Sequence, residues 1–378
     1  MEVRPTIVSA EERSFVPFIA QLGLRVSEKS LWKFDEVRVE VGAWGRLAVL
    51  NTTNSGDVDV AYVSAKAFDK RFTLSLGRQF RSGGAARGLH LDGLAAEVVL
   101  PGNLGLSAFG GAPVIRRFAL ARGDAVWGGR LFWRPTWETE LGASYFELLD
   151  KGYTARRDVA LDFRTLLGRR LSLSGLGVFS TLETRVAEAD LRARWVVGRQ
   201  VELTGGVRHT APDLFLPRTS IFSVFADVTR TEGLLAIDFT PTQRATLGAE
   251  GRAISVAEGL GYEALGTFGY AASRDARVSL QVMRLALPSN AYTRARVAGR
   301  RTFGNLTLAA DVDGALFDAP INGRTTSLQG TLTAKLALPA NFDLLVSGLA
   351  ATDPLFQQRF EVLARLVYTF RIHTEGAR

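Results

Sequence analysis

Ala187-Glu188-Ala189-Asp190-Leu191-Arg192-Ala193-Arg194-Trp195 alternates small or apolar with charged side chains over nine consecutive residues. Side chains of an extended strand point to opposite faces in turn. The stretch therefore sorts Ala187, Ala189, Leu191, Ala193 and Trp195 onto one face and Glu188, Asp190, Arg192 and Arg194 onto the other. Wound as a helix, it would be ringed by charge and keep no apolar stripe. It predicts a strand with one apolar and one charged face.

The same alternation recurs along nearly the whole chain. Val37, Val39, Val41, Ala43, Gly45, Leu47 and Val49 oppose Arg38, Glu40, Trp44 and Arg46. Ala245, Leu247, Ala249 and Ala253 oppose Arg244, Thr246, Glu250 and Arg252. Leu328, Leu332, Ala334, Leu336 and Leu338 oppose Gln329, Thr331, Thr333 and Lys335. At the C-terminal end Phe360, Val362, Ala364, Leu366, Tyr368, Phe370 and Ile372 oppose Arg359, Glu361, Arg365, Thr369 and Arg371. Many of these segments exceed the ~5–6 residues of globular strands and reach the ~9–11 of a tilted membrane strand.

Turn signals divide the strands. They fall at Phe68-Asp69-Lys70, Leu100-Pro101-Gly102-Asn103, Arg134-Pro135-Thr136, Leu167-Gly168-Arg169 and Val197-Gly198-Arg199. They continue at Thr240-Pro241-Thr242, Ser273-Arg274-Asp275, Phe303-Gly304-Asn305 and Leu338-Pro339-Ala340. Their spacing of roughly 30–35 residues is one hairpin of long strands with its loop. Between them lie longer stretches at 51–57, 81–87, 110–123 and 209–230. Short turns on one side and longer loops on the other are the asymmetry of a membrane barrel. Nine turns with one further strand at each end give about 20 antiparallel strands, within a range of 16–20; Leu234–Phe239 is the weakest segment.

Bulk composition narrows the setting. No run approaches the ~18–20 apolar residues of a membrane helix, and the longest uncharged apolar runs, such as Leu344 to Ala351, are strand-sized. A helical membrane protein is thereby excluded. The chain of 378 residues has no cysteine, which removes disulfides and thiolate metal sites and suits export. Lysine occurs only at 29, 33, 66, 70, 151 and 335, so the net charge of +8 is carried mainly by arginine. A long antiparallel sheet must bury its apolar face or show it to lipid, and closure removes the sheet edges that hydrocarbon would leave unsatisfied. The expected fold is therefore all-β, a transmembrane antiparallel up-and-down β-barrel. Residues 35–372 form the barrel. Residues 1–34 are a periplasmic extension, a plug or an extra strand, and 373–378 are a tail. Met1-Glu2-Val3-Arg4-Pro5 opens no basic-then-apolar leader, so the expectation is a mature or shortened chain, or a start placed too late. Trp127, Trp133, Trp137, Tyr145, Trp195, Phe239, Phe303, Tyr368 and Phe370 lie near strand ends, where interfacial girdles belong.

The charged face would line the lumen. Its basic candidates are Arg38, Arg46, Arg130, Arg134, Arg192, Arg194 and Arg208, followed by Arg244, Arg252, Arg294, Arg296, Arg300 and Arg365. Its acidic candidates are Glu138, Glu140, Glu188, Asp190, Glu250, Asp311 and Asp313. Arg294, Arg296 and Arg300 share one face of a strand, and the next strand offers Asp311 and Asp313. Cross-strand pairs of opposite charge stabilise a sheet by roughly 0.2–1 kcal/mol each, so one reading is a structural ladder. The other is a selectivity surface whose arginine excess attracts anions. Two loops rich in apolar residues are expected either to fold inward as a constriction, through Arg116, Arg117 and Phe118 in one and Phe222 and Phe225 in the other, or to pack on the rim or against another protein.

Catalytic chemistry finds little footing. His90, His209 and His373 are widely spaced and match no metal-ligand pattern, and no G-x-S-x-G elbow is present. No metal or cofactor is expected. A hydrolase built from His209 with Ser220 or Ser223 is the distant alternative.

Leu76-Gly77-Arg78-Gln79, Leu91-Asp92-Gly93-Leu94 and Leu106-Ser107-Ala108-Phe109-Gly110-Gly111 together resemble a stretch of porin-like outer-membrane proteins, the alginate-export-like and uncharacterised barrels. The matching stretch covers about a tenth of the chain. The chain departs from many such barrels in carrying His373 to Arg378 beyond the last strand. The resemblance implies passage or export of polar solutes, anionic or saccharide. The partners expected are outer-membrane lipid and lipopolysaccharide, the solute or polysaccharide, and a periplasmic or outer-membrane protein, with no nucleic acid. A non-conducting or plugged barrel within a secretion or envelope complex is the alternative.

Overall fold

Each alternating stretch pairs with its neighbour in sequence, which is the cheapest topology for a chain of strands joined by short turns. The computed structural model describes residues 2–3, 6–9, 12–15, 17–48, 55–114, 124–214, 229–354 and 358–369. Three short strands come first: β1 (Glu2–Val3), β2 (Thr6–Ser9) and β3 (Glu12–Phe15). The long strands open with β4 (Pro17–Leu31), β5 (Phe34–Ala48), β6 (Ser55–Ala67), β7 (Phe72–Ser82), β8 (Gly88–Val99) and β9 (Leu104–Pro113). Next come β10 (Ala125–Thr136), β11 (Thr139–Asp150), β12 (Tyr153–Leu167), β13 (Leu171–Ser180), β14 (Arg185–Val196) and β15 (Val201–Thr210). The set continues with β16 (Arg230–Thr242), β17 (Ala245–Val256), β18 (Gly259–Ala271), β19 (Ala276–Ala286) and β20 (Ala291–Phe303). It closes with β21 (Leu306–Ile321), β22 (Arg324–Leu338), β23 (Phe342–Thr352) and β24 (Arg359–Tyr368). Every long strand from β4 to β24 pairs antiparallel with the next, as the twelve-residue ladder from Tyr292↔Phe317 to Phe303↔Leu306 illustrates.

The nine turns read from the sequence fall at one end of this up-and-down barrel, although at Arg134-Pro135-Thr136 and Thr240-Pro241-Thr242 the strand runs on and the turn itself is Trp137-Glu138 and Gln243-Arg244; Trp32-Lys33 adds a tenth. They span two to four residues each, whereas connections at the opposite end reach 19 residues at 211–229. The weakest segment of the sequence, Leu234–Phe239, sits inside the thirteen-residue strand β16. At the loop end Asn322-Gly323 joins β21 to β22 with φ of 48° and 77°. Positive φ at both central residues is what a tight hairpin turn with strand-compatible twist demands.

Strand parity gives the N-terminal residues a role. Because β4 to β24 number 21, the first and last of them run in the same direction, and an antiparallel ladder cannot join them directly. β1 and β2 run the opposite way between them. Glu2 and Val3 pair with Arg365 and Ala364 of β24 and also with Ile19 and Phe18 of β4. Thr6, Ile7 and Val8 continue along β24 at Glu361, Phe360 and Arg359, while β2 folds back on β3 from Thr6↔Phe15 to Ser9↔Glu12. Arg365 adds a side-chain contact, its Nη2 donating to Gln21 Oε1 at 3.5 Å. Among the described residues these short ladders are what links the two ends of the sheet.

Register is irregular only locally, with bulges in β6 opposite Gly42/Ala43, in β12 opposite Leu148/Leu149 and in β14 opposite Val178/Phe179, and shifts beside turns at Trp133/Thr136, Phe239/Thr242 and Leu316/Ile321. A bulge bends its strand and re-aims the side chains beyond it. Gly77 of β7 stands at φ +119°, and a Cβ there would lie 2.2 Å from the Ala61 carbonyl oxygen of β6. Gly77→Ala is therefore expected to cost about 1–3 kcal/mol of strain, read as a lower denaturant midpoint for loss of the compact, heat-modifiable gel band. Gly45→Ala, whose added methyl meets nothing within 4 Å, is the control. Equal midpoints for both variants would contradict the close approach of β6 and β7.

Candidate functional site

A loop that crosses the sheet identifies its concave face. The 3-10 turn Gly84–Ala86 between β7 and β8 packs against β11, β12 and β13, four to six strands away. Such a chord can lie only on the inside of a curved sheet. The Ala85 amide donates to Ser144 Oγ at 2.9 Å, and Arg156 Nη2 donates to the Ala85 carbonyl at 3.1 Å. Arg87 Nε meets Glu188 Oε2 at 3.1 Å. The face carrying Ser144 and Glu188 is therefore the inner wall, and the strand period assigns every other side chain from there.

Under this loop the inner wall is packed. Ala85, Leu91, Val126, Phe146, Ala160 and Val178 form one buried cluster at the loop end of β8 to β13. Asp158 is fully buried within it and accepts from Arg156 Nε at 2.6 Å. The Arg156 guanidinium also lies 4.6 Å from the Phe146 ring centre. A buried carboxylate is tolerable only when its charge is met in this way. Toward the turn end the cluster opens into a hollow of about 400 Å³ with Arg81, Arg130, Arg134 and Arg164 facing Glu97, Glu140 and Asp162. Arg130 bridges Glu140 (2.7 Å) and Asp162, and Arg134 reaches the other Glu140 oxygen at 2.6 Å. Arg164 has no ion-pair partner among the described residues.

Most of the sequence candidates fall on this wall as ion pairs. Arg294 meets Asp313 at 2.7 Å and Arg296 meets Asp311 at 2.8 Å. Arg192 pairs with Asp190 at 3.0 Å, and Arg208 with Glu188 at 3.2 Å. Arg252 contacts Glu250 at 2.5 Å, and Arg38 contacts Glu40 at 2.6 Å. Arg194 pairs with Glu202, and Arg365 has the Gln21 contact already described. Arg46 lies on the inner face of β5, in register with Ile19 and Ser55. Arg244 and Arg300 are exposed and carry no ion pair among the described residues. Glu138 stands in the two-residue turn between β10 and β11, beside the ladder and not in it. The constriction residues Arg116, Arg117, Phe118, Phe222 and Phe225 lie outside the described residues, as do Ser220, Ser223, Phe370 and the tail from 373. The inward loop at 83–87 was named in the sequence only as a loop; its run of Gly83-Gly84-Ala85-Ala86, small enough to lie against a wall, is the signal that marks it.

Outside, the surface is apolar over a broad belt. Leu22, Leu76, Leu161, Leu191, Leu235, Leu332 and Val362 all stand half exposed or more. Trp133, Trp195, Phe239, Phe303 and Tyr368 ring its turn end. The loop end carries ion pairs that the sequence reading missed. Arg78, on the same face as Leu74 and Leu76, reaches Asp92 at 2.7 Å and Asp57 at 2.9 Å. Arg157 meets Glu147 at 2.8 Å, and Arg284 meets Asp318. Their parity with apolar neighbours is the clue in the sequence. His90 stacks on Phe80 with ring centres 5.0 Å apart, and His209 Nδ1 contacts Thr231 Oγ1 at 2.9 Å. Among the described residues no group of three His, Asp or Glu side chains is placed to hold a metal ion.

No protein-family model matches the chain, and no curated protein matches it. Among solved structures it is similar to the translocation pore of the P pilus usher PapC, at 10% identity over 96% of this chain and 98% of that one, with a TM-score of 0.48. It is also similar to Pseudomonas aeruginosa OccD3 (OpdP), at 9% identity over 96% and 88% of the two chains and a TM-score of 0.42. A mutant of Rh. blastica porin matches at 15% identity over 70% and 99%, with a TM-score of 0.38.

Removing Arg156 takes away the guanidinium that is hydrogen-bonded to the buried Asp158. Arg156→Ala should cost about 3–5 kcal/mol in denaturant unfolding and speed amide exchange at Ala85 and Arg87, which lose their tether to the wall. Stability and exchange equal to those of the parent would contradict the ion pair as the anchor of the inward loop.

Proposed function

We propose that the chain is an outer-membrane channel, with lipid against its convex face and an aqueous path for polar solutes along its concave face. The observation that carries this reading is the division of one continuous meander into an apolar outer belt and an ion-paired inner wall. An exposed apolar belt of this extent is foreign to soluble monomers, whose largest apolar patches measure a few hundred Å². Long antiparallel strands in one ring satisfy the backbone within hydrocarbon, and such barrels belong to outer membranes. The aromatic ring at the turn end and the ion pairs at the loop end bracket the belt as two interfaces do. The outward Arg78, Arg157 and Arg284 would meet lipid headgroups, including the phosphates of lipopolysaccharide, for which guanidinium is a good partner.

The solutes in this reading are polar, anionic or saccharide. Inner-wall arginines without a carboxylate partner among the described residues, such as Arg164, Arg244 and Arg300, leave a positive surplus that draws anions. Export of a polysaccharide is the narrower form of the same proposal. A second reading has the favour of the inward loop and its packed wall: a barrel narrowed or closed from within, serving as the outer-membrane station of a secretion or envelope complex and docking a protein partner.

Single-channel recording in a planar bilayer under a salt gradient separates the two. Stable conductance steps with a reversal potential of anionic sign are expected. Silence from a barrel shown to be folded by heat-modifiable migration would overturn the channel reading and favour the closed station.

A further inference from the structure

Arg277 and Arg300 stand directly opposite each other on β19 and β20, both on the inner wall near the turn end. Like charges at facing positions destabilise a sheet, so this pairing costs the fold something. Arg244 lies in the same row, since its carbonyl accepts from the Ala271 amide and Ala271 pairs with Arg277. Strands lie about 4.8 Å apart, so the three flexible side chains reach a common point. None of the three has an ion-pair partner among the described residues. The nearby Asp311 is already engaged by Arg296 at 2.6 Å. All three arginines border one open hollow of about 630 Å³, which the hydroxyls of Thr246, Ser279 and Thr333 also line. Elsewhere on this wall the arginines that meet a cross-strand carboxylate do so directly, as Arg294 and Arg296 do.

We propose that Arg244, Arg277 and Arg300 form a binding site for a multiply charged oxyanion, a phosphate or sulfate group borne by a solute entering or leaving at the turn-end mouth. Guanidinium groups bind such oxygens through paired, charge-assisted hydrogen bonds, and hydroxyl donors complete the shell. Asp311, which also lines the hollow, is held by Arg296, so the anion supplies the charge that meets these three arginines, and its binding relieves the Arg277–Arg300 repulsion. As a step on a solute's path, the site rests on the channel reading. As a binding site, it does not require conduction.

The test uses the full chain folded in detergent, with inorganic pyrophosphate as probe. Calorimetric titration should show saturable binding, and pyrophosphate should raise the melting temperature, as any ligand of the folded state does. The double variant Arg277→Gln/Arg300→Gln should bind at least roughly tenfold more weakly, the expected consequence of losing charge-assisted hydrogen bonds. Its own melting temperature should equal or exceed that of the parent, because the facing like charges are gone. Arg244→Gln, outside that facing pair, should weaken binding without a change in folding. Arg169→Asn, in an exposed turn at the same end, removes one charge from the mouth and should bind as the parent does. Absence of pyrophosphate binding in the parent, or equal loss in Arg169→Asn, would overturn the site. Conductance without pyrophosphate binding would retain the channel and reject the site; binding without conductance would do the reverse.

Discussion

Everything in this protein follows from one constraint, the pairing of each strand's backbone with both neighbours in an antiparallel ring. Once the ladders are set, the period of two commits every side chain to the inside or the outside, and a one-residue slip would exchange the two surfaces. Apolar side chains on the convex face need an apolar surrounding. Charges on the concave face need water or each other. The sequence satisfies both at once because its alternation is kept through nearly every strand, with register shifts in six of the ladders.

The same constraint explains the two ends of the chain. An odd set of long strands leaves its first and last members running in the same direction, and the N-terminal strands restore antiparallel neighbours between them. That part of the sheet has the shortest ladders, so its contribution per strand is small beside that of the long hairpins. The inner wall is likewise uneven. From β8 to β13 it is drawn inward by the loop at 83–87 and packed almost like the core of a soluble domain, with the buried Asp158 paired to a half-buried Arg156. Around β17 to β22 it stays open, and there the arginine row of Arg244, Arg277 and Arg300 is left without ion-pair partners among the described residues. One barrel thus has a structured flank and an open, basic flank.

The fold was legible because its signals are local. Val37 to Val49 and Ala187 to Trp195 declare their faces by simple alternation, and the turns at Phe68-Asp69-Lys70 and Leu338-Pro339-Ala340 announce themselves by breaking it. Pairs such as Arg294 with Asp313 were also within reach, because consecutive hairpin strands are spatial neighbours and register follows from the turn. Harder to see were Arg78, Arg157 and Arg284, whose outward direction depends on counting through a strand from a position already known to face the lumen. Arg277 was passed over for a related reason, since its importance lies in facing Arg300 and not in its own neighbours in sequence.

The sequence by itself determined the strands, their two faces and the turn end, because these depend on residues within one hairpin of each other. Only the tertiary structure decided that Gly84–Ala86 crosses to β11–β13, that Arg87 reaches Glu188, and that residues 2–9 run between β24 and β4. Those contacts join segments tens to hundreds of residues apart, and they exist only where the curvature of the whole sheet brings distant strands to face one another. Alternation encodes a side chain's direction from its strand; it carries no information about what lies across the lumen.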